Sequence, residues 1–464
     1  MPLIIPGNSQ ASTGYTIDQS IRFNSSSNPA LSKTFSGAGT NKTWTFSCWF
    51  KRGGKEETRN MIFSAGSAGN SFGGLELGHG AGTSYGRAPL IFYNYTGGGY
   101  DWRLQTSMAF ADFSAWYHVT VVCDTTTALP SERARIFING VRITDFSSSI
   151  SAPSFPSLDF AGNHWMGTTE HDIGTSIYTT QNFDGYLAEI HNIDGQALDC
   201  NSFGEFNDSG IWIPKEYSGS YGTNGFKIDG RDSSDLGDDE SGNGNDFTSS
   251  NLAASDQVSD SPTNNWCVMN PLNGDGGTTW KNGNLELATV NSGNNASTIF
   301  MTTGKWYWEV KGQGYAGAVC SIDKGAYNSG ITPSDSGSIG YYSTGDFYWA
   351  GGSDSTPASY ASSDIIGVAV NMDDGNISFY KNNTLQGTLS FSSTVSSLAT
   401  DGCYACVNNG TSSSSITFYL NFGQDGTFAG TETAQGNSDG NGVGNFYYTP
   451  PTGYLALCTK NLGS

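Results

Sequence analysis

Apolar and polar positions alternate along the chain in short bursts, each closed off by Gly, Ser or Asn. In "WTFSCWF" (44–50), Trp44, Phe46, Cys48 and Phe50 fall on one side of an extended backbone and Trp49 on the other. A side-chain period of two predicts a strand buried on at least one face. "WYHVTVVCD" (116–124) and "RARIFINGVRITDF" (133–146) repeat the pattern. In the second, Asn139-Gly140 separates two alternating runs and predicts a tight hairpin. "NFDGYLAEIHNIDG" (182–195) adds a strand, and "QALDCNSFGEF" after it has room for one helical turn. Farther on, "GKWYWEVKG" (304–312) directs Trp306, Trp308 and Val310 one way and Tyr307 and Glu309 the other. "IIGVAVNMDDGNISFYKN" (365–382) predicts a hairpin turning at Asp373-Asp374-Gly375, and "SSITFYLNFG" (414–423) one more strand. No fixed-period repeat links these segments.

Between the two patterned halves the apolar residues thin out. From about 229 to 262 the chain is rich in acids, Gly, Asn and Ser, as in "DLGDDESGNGNDF" (235–247). At 464 residues the chain also exceeds the ~250–300 at which single cores stop growing. The expectation is an all-β protein: two unlike β halves, over 1–228 and 276–464, with 229–275 as an acidic joint. Composition agrees, with 62 Gly, 13% aromatic residues and no long stretch of strong helix formers.

Charge narrows the partners. With 42 acids against 21 Lys and Arg the net charge is −21, and no basic face is visible for displacing counterions from nucleic acid. The charge serves solubility or attracts divalent cations, and both readings stand at this point. "MPLIIPGNSQ" lacks the basic start of a secretory signal, and no apolar run approaches the ~20 residues of a spanning helix. Eight cysteines are spread thinly. Cys403 and Cys406 form a CxxC whose odd spacing on a strand sends them to opposite faces, so free, mostly buried thiols are expected.

Several of these stretches carry a resemblance. "SIRFNSSSNPALSKTF", "KTWTFSCWFKRG", "WYHVTVVCD", "ARIFINGVRI" and "FDGYLAEIHNIDGQALDCNSFGEF" resemble the laminin G-like branch of the concanavalin A-like lectin/glucanase superfamily. "GKWYWEVKG", "IGVAVNMDDGNISFYKNN" and "LNFGQDGTF" resemble a SPRY domain. "YGTNGFKIDGRDSSDLGDDESGNGNDF", "SDQVSDSPTNN" and the ending "PPTGYLALCTKNL" resemble a formula recurring in virion proteins of tailed bacteriophages, where the two modules are joined in this order. The resemblance implies two antiparallel jelly-roll-type β-sandwiches in tandem, and a virion protein assembled in the host cytoplasm. It would be a homo-oligomer on the particle, contacting host-surface glycan or other virion proteins.

The superfamily includes glucanases, whose retaining members need two carboxylates ~5–5.5 Å apart. The best candidate here is "AEIHNID", with Glu189, His191 and Asp194. Asp194 sits at an odd offset and is expected to point away from the other two. The G-x-S-x-G matches at 69–73 and 82–86 and the G-x-G-x-x-G at 312–317 run into strand patterns, so no helix follows to build an elbow or cradle a phosphate. The chain therefore reads as a non-enzyme.

From Asp239, the positions Asp239, Ser241, Asn243 and Asn245, with Gly244 sixth, match the start of a calcium loop, but position twelve is Ser250 in place of Glu. Weak calcium binding and a set of side-chain-to-backbone turns both account for them. A glycan site needs exposed rings to stack on sugar C–H faces. Two clusters qualify: Tyr95, Tyr100 and Trp102, with Tyr93 nearby, and Tyr342, Tyr348 and Trp349, with Tyr341 nearby. The favoured reading is a host-recognising tail fibre or adhesin without cofactor, the alternatives being a head-decoration protein and a glycan hydrolase.

Overall fold

The computed structural model describes residues 14–462 apart from 55–58, 68–70, 79–87, 149–151, 163–164, 178–180, 275–276, 290–293, 320–336, 350–351 and 411–414. Two compact units divide the chain between Asn264 and Asn265. Within the stretch read as the joint, residues 229–264 thus fold with the first unit and 265–274 with the second.

In the first unit, one antiparallel sheet runs Val141–Arg142, Ala134–Ile138, Trp116–Asp124, Thr43–Arg52, Gly185–Asp194, Ser20–Phe23 and Gln257–Val258 in spatial order, with Phe226–Ile228 also paired to Gly185–Asp194. The other runs Thr248–Ser250, Ala30–Thr34, Glu170–Ile173, Asn60–Ser67, Ser71–Leu77, Pro89–Thr96 and Gly99–Ala109. Neighbours distant in sequence are the mark of a jelly-roll sandwich. Trp44, Phe46, Cys48 and Phe50 enter the core between the sheets while Trp49 joins a second cluster outside, as the alternation predicts. Phe46 stacks on Phe63 across the sheets at 4.6 Å. The hairpin at Asn139-Gly140 forms with φ of 46° and 80°, the positive values a two-residue primed turn requires.

The second unit is also a sandwich. One sheet runs Thr279–Lys281, Glu286–Thr289, Ile416–Asn421, Lys305–Lys311, Ile365–Asn371, Asn376–Lys381 and Thr384–Ser390. A short parallel pairing of Leu455–Ala456 with Lys305–Lys311 is the exception to its antiparallel order. The other runs Asn295–Met301, Cys403–Asn408, Tyr315–Val319, Ser338–Tyr342, Asp346–Trp349 and Gly352–Asp354. Trp306, Trp308 and Val310 pack into the core, and Tyr307 faces the other way against Phe446 of the C-terminal segment. Cys403 and Cys406 lie in separate clusters, and every cysteine among the described residues is a free thiol; Cys320 lies outside them.

Candidate functional site

The strands Pro89–Thr96 and Gly99–Ala109 pair with an irregularity: Asn94 faces Trp102 but Tyr95 faces Tyr100, leaving Asp101 as an extra residue. A bulge of this kind reverses which face the following side chains take. Tyr93, Tyr95 and Tyr100 therefore gather on the outer face, with Tyr100 edge-on to Tyr93 at 5.4 Å and to Tyr95 at 5.3 Å. Phe72 adds a ring at 5.5 Å from Tyr95, and the Arg103 guanidinium sits 5.3 Å from the Tyr100 ring. Tyr93 is buried and donates towards Glu76, whose carboxylate pairs with Arg59. Tyr100, 37% exposed, is the most open ring of the group.

Trp102 is not part of this patch. Its indole lies in the core, 1% exposed, with Phe92 at 4.7 Å. A ring without a free face cannot stack on a sugar, so the reading of Trp102 as a ligand contact is corrected.

In the second unit Tyr342 and Tyr348 do come together, ring centroids 6.0 Å apart on the outer face of the strands Ser338–Tyr342 and Asp346–Trp349. Trp349 alternates to the opposite face and packs against the core. Only half-buried tyrosines remain of this second cluster.

The acidic loop shows what its residues do. Asp239 Oδ1 accepts from the Lys227 and Ser241 amides at 2.9 Å each, and Oδ2 from Ser241 Oγ and the Asn245 amide at 2.8 Å each. Asn243 and Asn245 donate their side-chain amides to the carbonyls of Gly222, Thr223 and Gly225. A calcium ion would need the Asp239 lone pairs that four donors already occupy. The residues of this loop do not fit the ion.

Glu189 sits on another bulge, between Ala188 and His191, with a φ of 48° that non-glycine residues seldom adopt. Its carboxylate accepts from Tyr15 Oη at 2.8 Å, meets His191 Nε2 at 3.1 Å and pairs with Lys227 at 3.5 Å. Burial works against its charge, but His191, Lys227 and Tyr15 together hold the carboxyl down at about 2. A general acid for glycoside cleavage needs the opposite shift. Asp194 turns elsewhere, accepting from the Thr40 and Asn224 amides. Of the serine motifs, Ser84 lies outside the described residues.

One feature escaped the sequence reading. A cleft of about 460 Å3 opens where the strands Ala134–Ile138 and Val141–Arg142 give way to the segment that bridges to Gly99–Ala109 at Thr106–Phe146. Arg135, Arg142, Thr144, Asp145, Phe146 and Phe155 line it. Arg142 forks onto Glu132 at 2.8 and 3.2 Å, and the two rings meet edge to face at 6.1 Å. The outward alternation of Arg135 was legible in "ARIFI"; the approach of Phe146 and Phe155 to it was not.

The family profile described as the concanavalin A-like lectin/glucanases superfamily matches residues 23–196, and that of the SPRY domain matches residues 305–425. Among curated proteins none matches. Similar solved structures include the SPRY domain of human HERC1, 18% identical, covering 29% of this chain and 87% of that one with a TM-score of 0.24. The heptameric SAP-like pentraxin of Limulus polyphemus is 16% identical over 39% and 78% of the two chains, TM-score 0.27. Domains LG4-5 of the mouse laminin α1 chain are 11% identical over 97% and 90%, TM-score 0.28. At these values none of the three bears on function.

Proposed function

We propose that this chain, which carries a concanavalin A-like lectin domain and a SPRY domain, is a non-enzymatic binding protein of a tailed-phage virion that recognises host-surface glycan as an adhesin or part of a tail fibre. The observation that carries glycan recognition is the Tyr95–Tyr100 pair on the outer face of a lectin-type sheet. Amphipathic rings that keep part of their surface in solvent suit the apolar C–H face of a sugar. The virion assignment rests on the resemblance of "YGTNGFKIDGRDSSDLGDDESGNGNDF" and the C-terminal "PPTGYLALCTKNL" to the phage formula. On the particle the partners are other virion proteins and further copies of this chain. Against hydrolysis stands Glu189, whose oxygens are taken up by Tyr15, His191 and Lys227.

The test is a glycan array probed with the whole chain and with Tyr100→Ala, together with immunogold labelling of the particle. Host-envelope glycan bound by the parent and lost in the variant, with label on the tail, supports the reading. Label on the head with no sugar bound would replace it with capsid decoration, and release of reducing ends from host polysaccharide would restore a hydrolase.

A further inference from the structure

The four large sheets end in eight edge strands, and an edge with unpaired backbone groups is a template for another strand. Five of the eight are only two or three residues long. Two longer ones are covered. Gly99–Ala109 exchanges backbone hydrogen bonds with Asp145, Ser147 and Ser154, and Asn295–Met301 does so with Val268 and Asn270. The eighth, Thr384–Ser390 in the second unit, runs for seven residues with no backbone bond on its outer side among the described residues. It also lacks the usual guards, for "TLQGTLS" holds neither a charge nor a proline.

The register decides which backbone groups are open. The Phe391 amide donates to the Gly375 carbonyl, and bonded positions alternate with open ones along an antiparallel pair. Thr388 and Ser390 therefore turn their N–H and C=O groups away from Asn376–Lys381. A bulge at Gln386, where Tyr380 faces Leu385 but Phe379 faces Gly387, brings Leu385 into the same phase. The Ser390 carbonyl is already taken by the Ser393 and Thr394 hydroxyls. That leaves the N–H and C=O of Leu385 and Thr388 and the N–H of Ser390.

With the bulge counted as one position, Leu385 and Ser390 lie evenly on either side of Thr388. Such an edge is complementary to its own copy run antiparallel. Thr388 then faces the partner's Thr388 across two hydrogen bonds, and each Ser390 N–H donates to the Leu385 carbonyl of the other copy. An uncharged strand lets two chains of net charge −21 meet without opposing charges in the seam. It equally offers no charge by which a foreign strand would be selected.

We propose that the chain forms a two-fold dimer through Thr384–Ser390, joining the sheets of two second units edge to edge. The inference rests on this edge alone and not on glycan recognition.

Sedimentation equilibrium of the whole chain, over a concentration series, tests it in the parent, in Thr388→Lys and in Thr388→Glu. Each variant sets like charges opposite one another at the two-fold axis, and circular dichroism checks that each keeps its sheets. A parent dimer that is weakened about tenfold or more in both variants, and regained when the two are mixed so that Lys faces Glu, supports the proposal. A parent that stays monomeric overturns it, as does an assembly of any size that is indifferent to both charges. Weakening in both variants without recovery on mixing takes Thr388 off the axis and overturns the two-fold pairing. None of these outcomes alters the reading of the Tyr95–Tyr100 patch, which the glycan array tests separately.

Discussion

Lys51 and Asp260, 209 positions apart in the chain, meet at 2.7 Å with both side chains wholly buried. The other oxygen of Asp260 accepts from Trp116 Nε1 at 2.9 Å, and its backbone carbonyl from Ser20 Oγ at 2.6 Å. One residue within the acidic stretch thus ties together three strands of the first sheet. Removing either member of a buried ion pair strands the other charge in a medium that cannot solvate it.

Asp260→Ala is accordingly expected to cost the first unit about 3–5 kcal/mol. The double replacement Lys51→Met/Asp260→Leu should recover most of that, because no charge is then left alone. Calorimetric unfolding of the three proteins measures both. The same pair predicts that residues 1–264 unfold cooperatively on their own whereas 1–228 do not. A cooperative 1–228 fragment would show that Asp260 is dispensable.

Tyr100 and Trp102 separate function from stability within three residues. Trp102→Ala empties a core position beside Phe92 and should cost about 3–5 kcal/mol. Tyr100→Ala, at a third exposed, should stay within about 1 kcal/mol while glycan binding at the patch is lost. Parallel melting curves and glycan binding decide it. Equal losses of stability in the two variants would contradict the bulge that parts them.

That bulge also shows how far the sequence was legible. Strict alternation put Trp44, Phe46, Cys48 and Phe50 in a core and Trp308 in another, because an unbroken strand has no freedom to do otherwise. The Asn139-Gly140 and Asp373-Asp374-Gly375 turns were equally readable from their backbone requirements. Tyr100 and Trp102 share parity in sequence, yet the extra Asp101 sends them to opposite faces. A bulge leaves no local signature when its cause is the pairing of two strands. The cleft was hidden for a related reason: its arginines lie on the legible hairpin, but Phe146 reaches its place through the pairing with Thr106, distant in sequence.

The acidic loop gives a chelation test. Four donors converge on the Asp239 carboxylate, and these hold the turn without an ion. A chelator should leave the melting temperature of the first unit unchanged, while Asp239→Ala should lower stability by about 2–3 kcal/mol. A fall of several degrees on adding chelator, reversed by calcium, would mean that the loop rearranges around a metal.

Glu309 supplies a pH dependence to the second unit. Buried beneath the C-terminal segment, it accepts from the Tyr447 and Tyr448 amides at 2.8 and 2.7 Å, from Asn421 Nδ2 at 3.0 Å and from Tyr307 Oη at 3.3 Å. Burial raises its carboxyl to about 7 from an ordinary 4.5, against the pull of those donors. Between these two values the folded chain holds a proton that the unfolded chain has released. The stability due to Glu309 is therefore fully present below about pH 4.5 and is lost as pH rises through about 7, by an amount on the order of 3 kcal/mol. Glu309→Gln cannot ionise, and its side-chain amide must face one pair of donors, a fixed cost of about 1–3 kcal/mol. The stability difference between parent and variant should shrink steadily as pH is raised across that window, and other titrating groups cancel in the comparison. Calorimetry of both proteins over the window checks it: parallel curves would place the carboxyl outside it and leave the C-terminal segment anchored equally at every pH.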